Sequence, residues 1–192
     1  MPSADERPRQ PVADPQHLAA GGVAAITGEA PARGLRVRPL RADERPWLAD
    51  QLRWAWGTPQ VVSRGRVHDA ARLPALVAVA GGEVVGVATF DVRNEQCELV
   101  TLDASTEGCG VGSALLQAVA NEARRRGCRR VWLITTNDNL RALAFYQRRG
   151  LRLIAVHRGA VDAARRIKPS IPLVGNDGIP LHDELELELP LR

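Results

Sequence analysis

The chain has 192 residues, 45% hydrophobic and 25% charged, with a formal charge of +4; that balance belongs to a packed domain and excludes a disordered chain. Its basic residues are nearly all arginine, Lys168 being the one lysine, and no basic run interleaved with aromatics marks a nucleic-acid tract. No apolar run approaches the roughly 18 residues of a transmembrane helix, so neither nucleic acid nor membrane is expected as a partner.

Cys97, Cys109 and Cys128 form no CxxC pair, and His17, His68, His157 and His182 have no HxxxH spacing. Neither a disulfide framework nor a metal site is therefore expected, and a cytoplasmic location fits best. Met1 to Gln10 mixes Asp5, Glu6, Arg7 and Arg9 with two prolines, unlike a signal peptide.

Residues 1–33, rich in Pro, Ala, Gly and mixed charge, read as a flexible tail, and 34–192 as one domain. Leu35 to Leu40 alternates as a half-buried strand does. Asp43 to Trp56 reads as a helix, with Asp43 as N-cap and Pro46 in the first turn. Within it, core packing is the expected role of Trp47, Trp54 and Trp56, with lining of a pocket as the alternative. Val61 to Arg72 starts like a strand and then suggests a turn of helix. Leu76 to Ala80 and Glu83 to Val92 flank Gly81-Gly82 and form a hairpin. Asn94-Glu95-Gln96 makes the next turn, and Cys97 to Leu102 a third strand.

The run Gly108-Cys109-Gly110-Val111-Gly112 opens a helix that extends to about Arg126, where Gly127 stands at the C-terminal cap. Val131 to Thr135 is apolar on both faces, as a central strand is. Asn137-Asp138-Asn139 offers N-cap chemistry to a helix reaching Arg149, and Gly150 stops it. Leu151 to Val156 is another strand, 159–183 reads as long and irregular, and Leu185 to Leu189 alternates as a last strand. Strands followed by strand–helix–strand–helix–strand give an α/β (α+β) layer fold around a mixed sheet.

Three glycines at alternate positions between a strand and a helix let a ligand approach the backbone, and the first amides of the helix point outward. That is an anion site suited to phosphate or pyrophosphate, the alternative being a helix-start turn without any ligand. It is not a P-loop, which needs Gly-Lys-Ser/Thr, nor a dinucleotide fingerprint, because Ser113 stands where the third glycine would be.

Leu99-Val100-Thr101-Leu102-Asp103-Ala104 followed by Gly108-x-Gly110-x-Gly112 and Ser113-Ala114-Leu115-Leu116 resembles the acyl-CoA motif of the GNAT N-acetyltransferase family. Asn139-Leu140-Arg141-Ala142-Leu143-Ala144-Phe145-Tyr146-Gln147-Arg148-Arg149-Gly150-Leu151 looks like that family's Asn-x-x-Ala-x-x-Phe-Tyr-x-x-x-Gly-Phe segment. The resemblance covers roughly 35–192 and is weak over 41–75. The family's opening Gln or Arg is replaced by Glu107, a carboxylate that would repel a pyrophosphate if both faced the same way. Either Glu107 points to solvent and leaves binding to the backbone amides, the favoured reading, or it weakens the hold on the cofactor.

The resemblance implies a mostly antiparallel sheet with a parallel central splay, flanked by helices, that holds acetyl-CoA as co-substrate without a metal. The pantetheine arm would pair with backbone around Leu102 and Ala104. The pyrophosphate would rest on amides of Cys109, Gly110, Val111, Gly112 and Ser113. Asn139 would steady the pantetheine arm, helix capping being its alternative role.

The implied reaction is direct attack of a primary amine on the thioester in a ternary complex. An alkyl ammonium titrates near ~10.4, so a base is useful. Glu98 matches a carboxylate position used as base, or is a surface-strand glutamate. Tyr146 matches the general acid for the leaving thiolate, or packs. The acceptor would be a small-molecule amine or a protein amino group, bordered by Lys168 to His182, with His182, Asp183 and Glu184 as secondary bases. A homodimer is expected by analogy, and a non-catalytic acyl-CoA-binding regulator is the competing function.

Overall fold

The computed structural model describes residues 34–105 and 109–191, so the tail 1–33 and Glu107 lie outside the described residues. The strands are β1 (Arg36–Pro39), β2 (Gln60–Ser63), β3 (Arg66–Asp69), β4 (Ala75–Ala80), β5 (Glu83–Arg93), β6 (Gln96–Ala104), β7 (Arg130–Thr136), β8 (Arg152–His157) and β9 (Glu184–Pro190). The helices are α1 (Arg45–Trp56), α2 (Val111–Arg125), α3 (Leu140–Gln147) and α4 (Ala160–Ile167).

Seven strands form one sheet in the order β1-β4-β5-β6-β7-β9-β8, and β2 and β3 form a separate hairpin. Every neighbouring pair in the large sheet is antiparallel except β6 and β7. That parallel pairing joins Gln96, Cys97 and Glu98 to Arg130, Val131 and Trp132 and goes no further. Above Glu98 the two strands splay, as the resemblance implied. An irregularity against β5 between Leu99 and Thr101 marks where β6 begins to bend.

Alternation along the strands divides the core. On one face, α2 and α3 pack Leu115, Leu116, Val119 and Tyr146 against Leu76, Phe90, Leu99, Leu133 and Leu187. On the other, Leu48 and Leu52 of α1 pack against Val77 and Val87. Gly86 lets α2 close on the sheet, because a Cβ there would stand 2.7 Å from Val111 Cγ1 and 2.8 Å from the Asp103 carbonyl oxygen.

Several expectations need correction. The α1 helix proper begins at Arg45, after a 3₁₀ turn over Ala42–Glu44, so Glu44 and not Asp43 is its N-cap. The segment after α1 is a β-hairpin with no helical turn; its bend is Arg64-Gly65, both at positive φ (49° and 72°), the geometry of a type I′ turn. In β7 the burial alternates: Val131, Leu133 and Thr135 are buried, while Trp132 and Ile134 are half-buried. The half-buried face is covered by charge, with the guanidinium groups of Arg64 and Arg130 each 5.6 Å from the Trp132 ring centroid. Finally, 159–183 contains α4, whose Val161 and Ala164 are buried.

Candidate functional site

The helix start of α2 is built by its glycines for two different reasons. Gly110 is the N-cap at φ 74°, a left-handed conformation that glycine adopts without penalty. Gly112 makes room for an aromatic ring, since a Cβ there would meet Phe145 Cζ at 3.0 Å. The first bond of the helix ladder is Ala114 N–H to the Gly110 carbonyl at 2.9 Å. The amides of Val111, Gly112 and Ser113 therefore have no acceptor within the helix, and they carry the positive end of its dipole. Cys109 is exposed beside them. Ser113 Oγ accepts from Arg149 Nε at 2.8 Å, and the same guanidinium lies 3.6 Å from the Phe145 centroid. A buried arginine thus stands at the mouth of the loop, a feature that glycine spacing does not reveal.

The splay opens beside this helix start. Leu102 and Ala104 lie on the β6 edge that has left β7, so an extended ligand arm can pair there as an added strand would. Asn139 caps α3, its Oδ1 accepting from Ala142 N–H at 3.0 Å. Tyr146 is buried and meets Phe145 edge-on at 5.0 Å between centroids. Burial, with the Asp103 carboxylate as a smaller contribution, pushes the phenol above its ordinary range, so it keeps its proton at neutral pH.

Glu98 sits at the foot of the splay and is buried, not exposed as a surface-strand glutamate would be. Its Oε2 lies 3.2 Å from His68 Nε2 of the β2–β3 hairpin. Two other groups were missed in the sequence. Asp103, buried near the end of β6, accepts from Trp56 Nε1 at 3.4 Å, and burial pushes its carboxyl up to about 6. Its position in β6 could have flagged it. His68, buried on β3, carried no local signal, because the hairpin's turn was not recognised.

Trp56 and Trp54 are 39% and 41% exposed, so core packing describes only Trp47, which is half-buried against the α1 core. The inner face of α1 is taken by Leu48, Gln51 and Leu52, and Trp56 reaches past it to Asp103.

The segment 168–183 is pinned to the turn before α3. Asp138 is buried and accepts from Asn176 N–H at 2.8 Å, Asn176 Nδ2 at 2.7 Å and Thr136 Oγ1. Asn137 Oδ1 accepts from the amides of His182 and Asp183, both at 3.0 Å. Of the secondary bases, His182 pairs with Asp162 at 3.0 Å and Asp183 accepts from Gly159 N–H at 2.8 Å. Glu184 is buried, accepts from Arg64 N–H at 3.0 Å, and is raised above the usual carboxylate range by burial. Arg124, Arg125 and Arg126 pair with Asn121 and Glu122 at the C-terminal end of α2, the end opposite the glycine loop. Among the described residues, no group of three or more His, Cys, Asp or Glu is placed to hold a metal ion. No described helix is long and apolar enough to cross a membrane.

Comparison with known proteins agrees with this geometry. An uncharacterised protein of Bacillus subtilis (strain 168), YdhI, is 42% identical over 139 residues, which are 72% of this chain and 87% of that one. An IAA acetyltransferase from Bacillus cereus superposes with a TM-score of 0.60 at 21% identity, over 82% of this chain and 100% of that one. A Bacillus subtilis acetyltransferase solved in complex with CoA gives the same TM-score and identity, over 82% and 99%. The profile of the acetyltransferase (GNAT) family matches residues 40–151, so the chain belongs to the GNAT acetyltransferase family.

Proposed function

We propose that the protein is a cytoplasmic N-acetyltransferase that moves an acetyl group from acetyl-CoA to a primary amine within a ternary complex. The observation that carries this reading is the opening of the one parallel strand pair above Glu98, next to the glycine-capped start of α2 and to Tyr146. A structural neighbour with CoA bound supports the choice of donor.

In this reading the pyrophosphate rests on the amides of Cys109, Gly110, Val111, Gly112 and Ser113, with Arg149 behind Ser113. The pantetheine arm pairs with β6 at Leu102 and Ala104, and Asn139 bounds its far side. Fixing the thioester beside the acceptor supplies proximity. Glu98 takes a proton from the acceptor ammonium, the amine attacks the carbonyl carbon, and Tyr146 protonates the departing sulfur. A phenol kept neutral by burial is suited to that donation. Acceptors enter between α1, the β2–β3 hairpin and segment 168–183, and are small amines or protein amino groups.

Calorimetry with acetyl-CoA, CoA and ATP, followed by thiol release across an amine panel, tests the assignment. Binding of both CoA species without ATP binding, together with thiol release, is expected. Tyr146→Phe should lower kcat by about 10- to 100-fold with an unchanged acetyl-CoA Kd. Failure to bind CoA overturns the proposal, and an unchanged kcat removes Tyr146 from the reaction.

A further inference from the structure

His68 is 2% exposed, yet neither ring nitrogen makes a hydrogen bond. Nε2 stands 3.2 Å from Glu98 Oε2 but outside hydrogen-bond geometry, and Nδ1 is 3.9 Å from Asp91 Oδ2. A buried polar group without a partner destabilises a fold, whereas an apolar ring of similar shape does not. The position is nonetheless built with care. Along β3, Val67 and Asp69 face outward while His68 faces the sheet. Arg66 reaches Asp91 Oδ2 at 2.7 Å and Arg93 reaches it at 3.0 Å, so the oxygen nearest the imidazole already has two closer partners. Arg64, at the bend of the hairpin, engages Glu184 through its amide and Glu186 through its side chain. Among these neighbours, Glu98 is left to the imidazole.

We infer that His68 is a positioning residue for acetyl transfer, its ring standing beside Glu98 and turning into line to receive the proton that Glu98 takes from the acceptor. The inference rests on the acetyltransferase reading. One ammonium proton passes to Glu98 and on to His68 Nε2, which restores the carboxylate. The amine lone pair forms the N–C bond to the carbonyl carbon, and the C–S bond breaks. Tyr146 gives its proton to the sulfur and recovers one from the newly acylated nitrogen. The products are the amide, CoA thiol and one proton, which leaves through Glu98 when the site opens. The imidazole thus stands between the two carboxylates, Nδ1 3.9 Å from Asp91 Oδ2 and Nε2 3.2 Å from Glu98 Oε2.

The test measures stability and turnover on the same full-length variants. His68→Phe removes the unpaired nitrogens and keeps the ring. It should leave Tm unchanged or raise it by about 2–4 °C, while kcat falls about 100-fold and the KM for acetyl-CoA stays within about twofold. In a Glu98→Gln background the same change should cost nothing further, because the two residues act as one unit. A His68→Phe protein that is destabilised or fails to fold makes the residue structural and overturns the inference. So does an unchanged kcat, or a loss that adds fully to that of Glu98→Gln. A wild-type chain that binds CoA but releases no thiol with any amine refutes the acetyltransferase reading instead, and His68 falls with it.

Discussion

At the scale of single residues, burial holds Asp103, Tyr146 and Glu184 in the candidate site away from their ordinary protonation behaviour. Asp103 is the clearest case: burial raises its carboxyl to about 6, and the Trp56 N–H offsets part of that rise. In the unfolded chain an aspartate titrates near ~3.9. The native state therefore holds this proton longer, and wild-type stability declines as pH rises through the window between the two values. Asp103→Asn keeps an acceptor for Trp56 and carries no charge. We expect it to be more stable than wild type by about 2–3 kcal/mol at pH 8, with the gain gone near pH 4. Paired urea titrations at the two pH values measure this, and an equal difference at both would show that Asp103 titrates as it does in water. Comparing variant with wild type cancels groups that act in the opposite sense. One is Glu44, which the Arg38 guanidinium lowers to about 2. Glu98 and Tyr146 were named in the sequence through the resemblance to the GNAT family, and the loop glycines through their spacing. Asp103 and His68 were not, because their roles depend on Trp56 and on a hairpin distant in sequence.

At the scale of elements, legibility follows how local the stabilising contacts are. The β4–β5 hairpin, α2 and α3 carry their own signals: a Gly-Gly turn, an unbroken apolar stripe, and Asn139 as cap. The α4 helix has only two turns and is preceded by Gly159, with its start secured by Asp183 from 24 residues away. Its local signs were the Val161/Ala164 spacing and the Asp162–Arg165 pair. The β2–β3 hairpin hid its turn behind Arg64, a residue uncommon at positive φ. The same non-local logic applies to segment 168–183. Arg165 ties it down by donating to the carbonyls of Ile171, Pro172 and Leu181, and Asp138 accepts three hydrogen bonds. Replacing Asp138 with alanine should destabilise the protein by about 2–3 kcal/mol, seen as a Tm lower by roughly 5–10 °C. It should also raise the acceptor KM while leaving the acetyl-CoA Kd unchanged, as our proposal that the segment borders the acceptor side requires. Parallel calorimetry and steady-state kinetics separate these effects, and a matching loss of CoA affinity would assign the segment to the cofactor side.

For the molecule as a whole, we propose that the catalytic unit is residues 34–192. Deleting 1–33 should leave Tm within about 1 °C and kcat/KM within about twofold of the full chain. A lower Tm on differential scanning would make the tail part of the fold. The sheet order was the least legible feature, because nothing in the alternation of Leu185 to Leu189 says which strands will flank it. It pairs with β7 on one side and β8 on the other. That placement has a consequence for synthesis. While residues 184–190 are still inside the ribosome, β7 has an open edge and β8 has no strand to join. Glu186 is also missing as a partner for Arg130 and His157. The sheet therefore closes only when β9 joins it, and β7 and β8 both wait for a strand that is made after them.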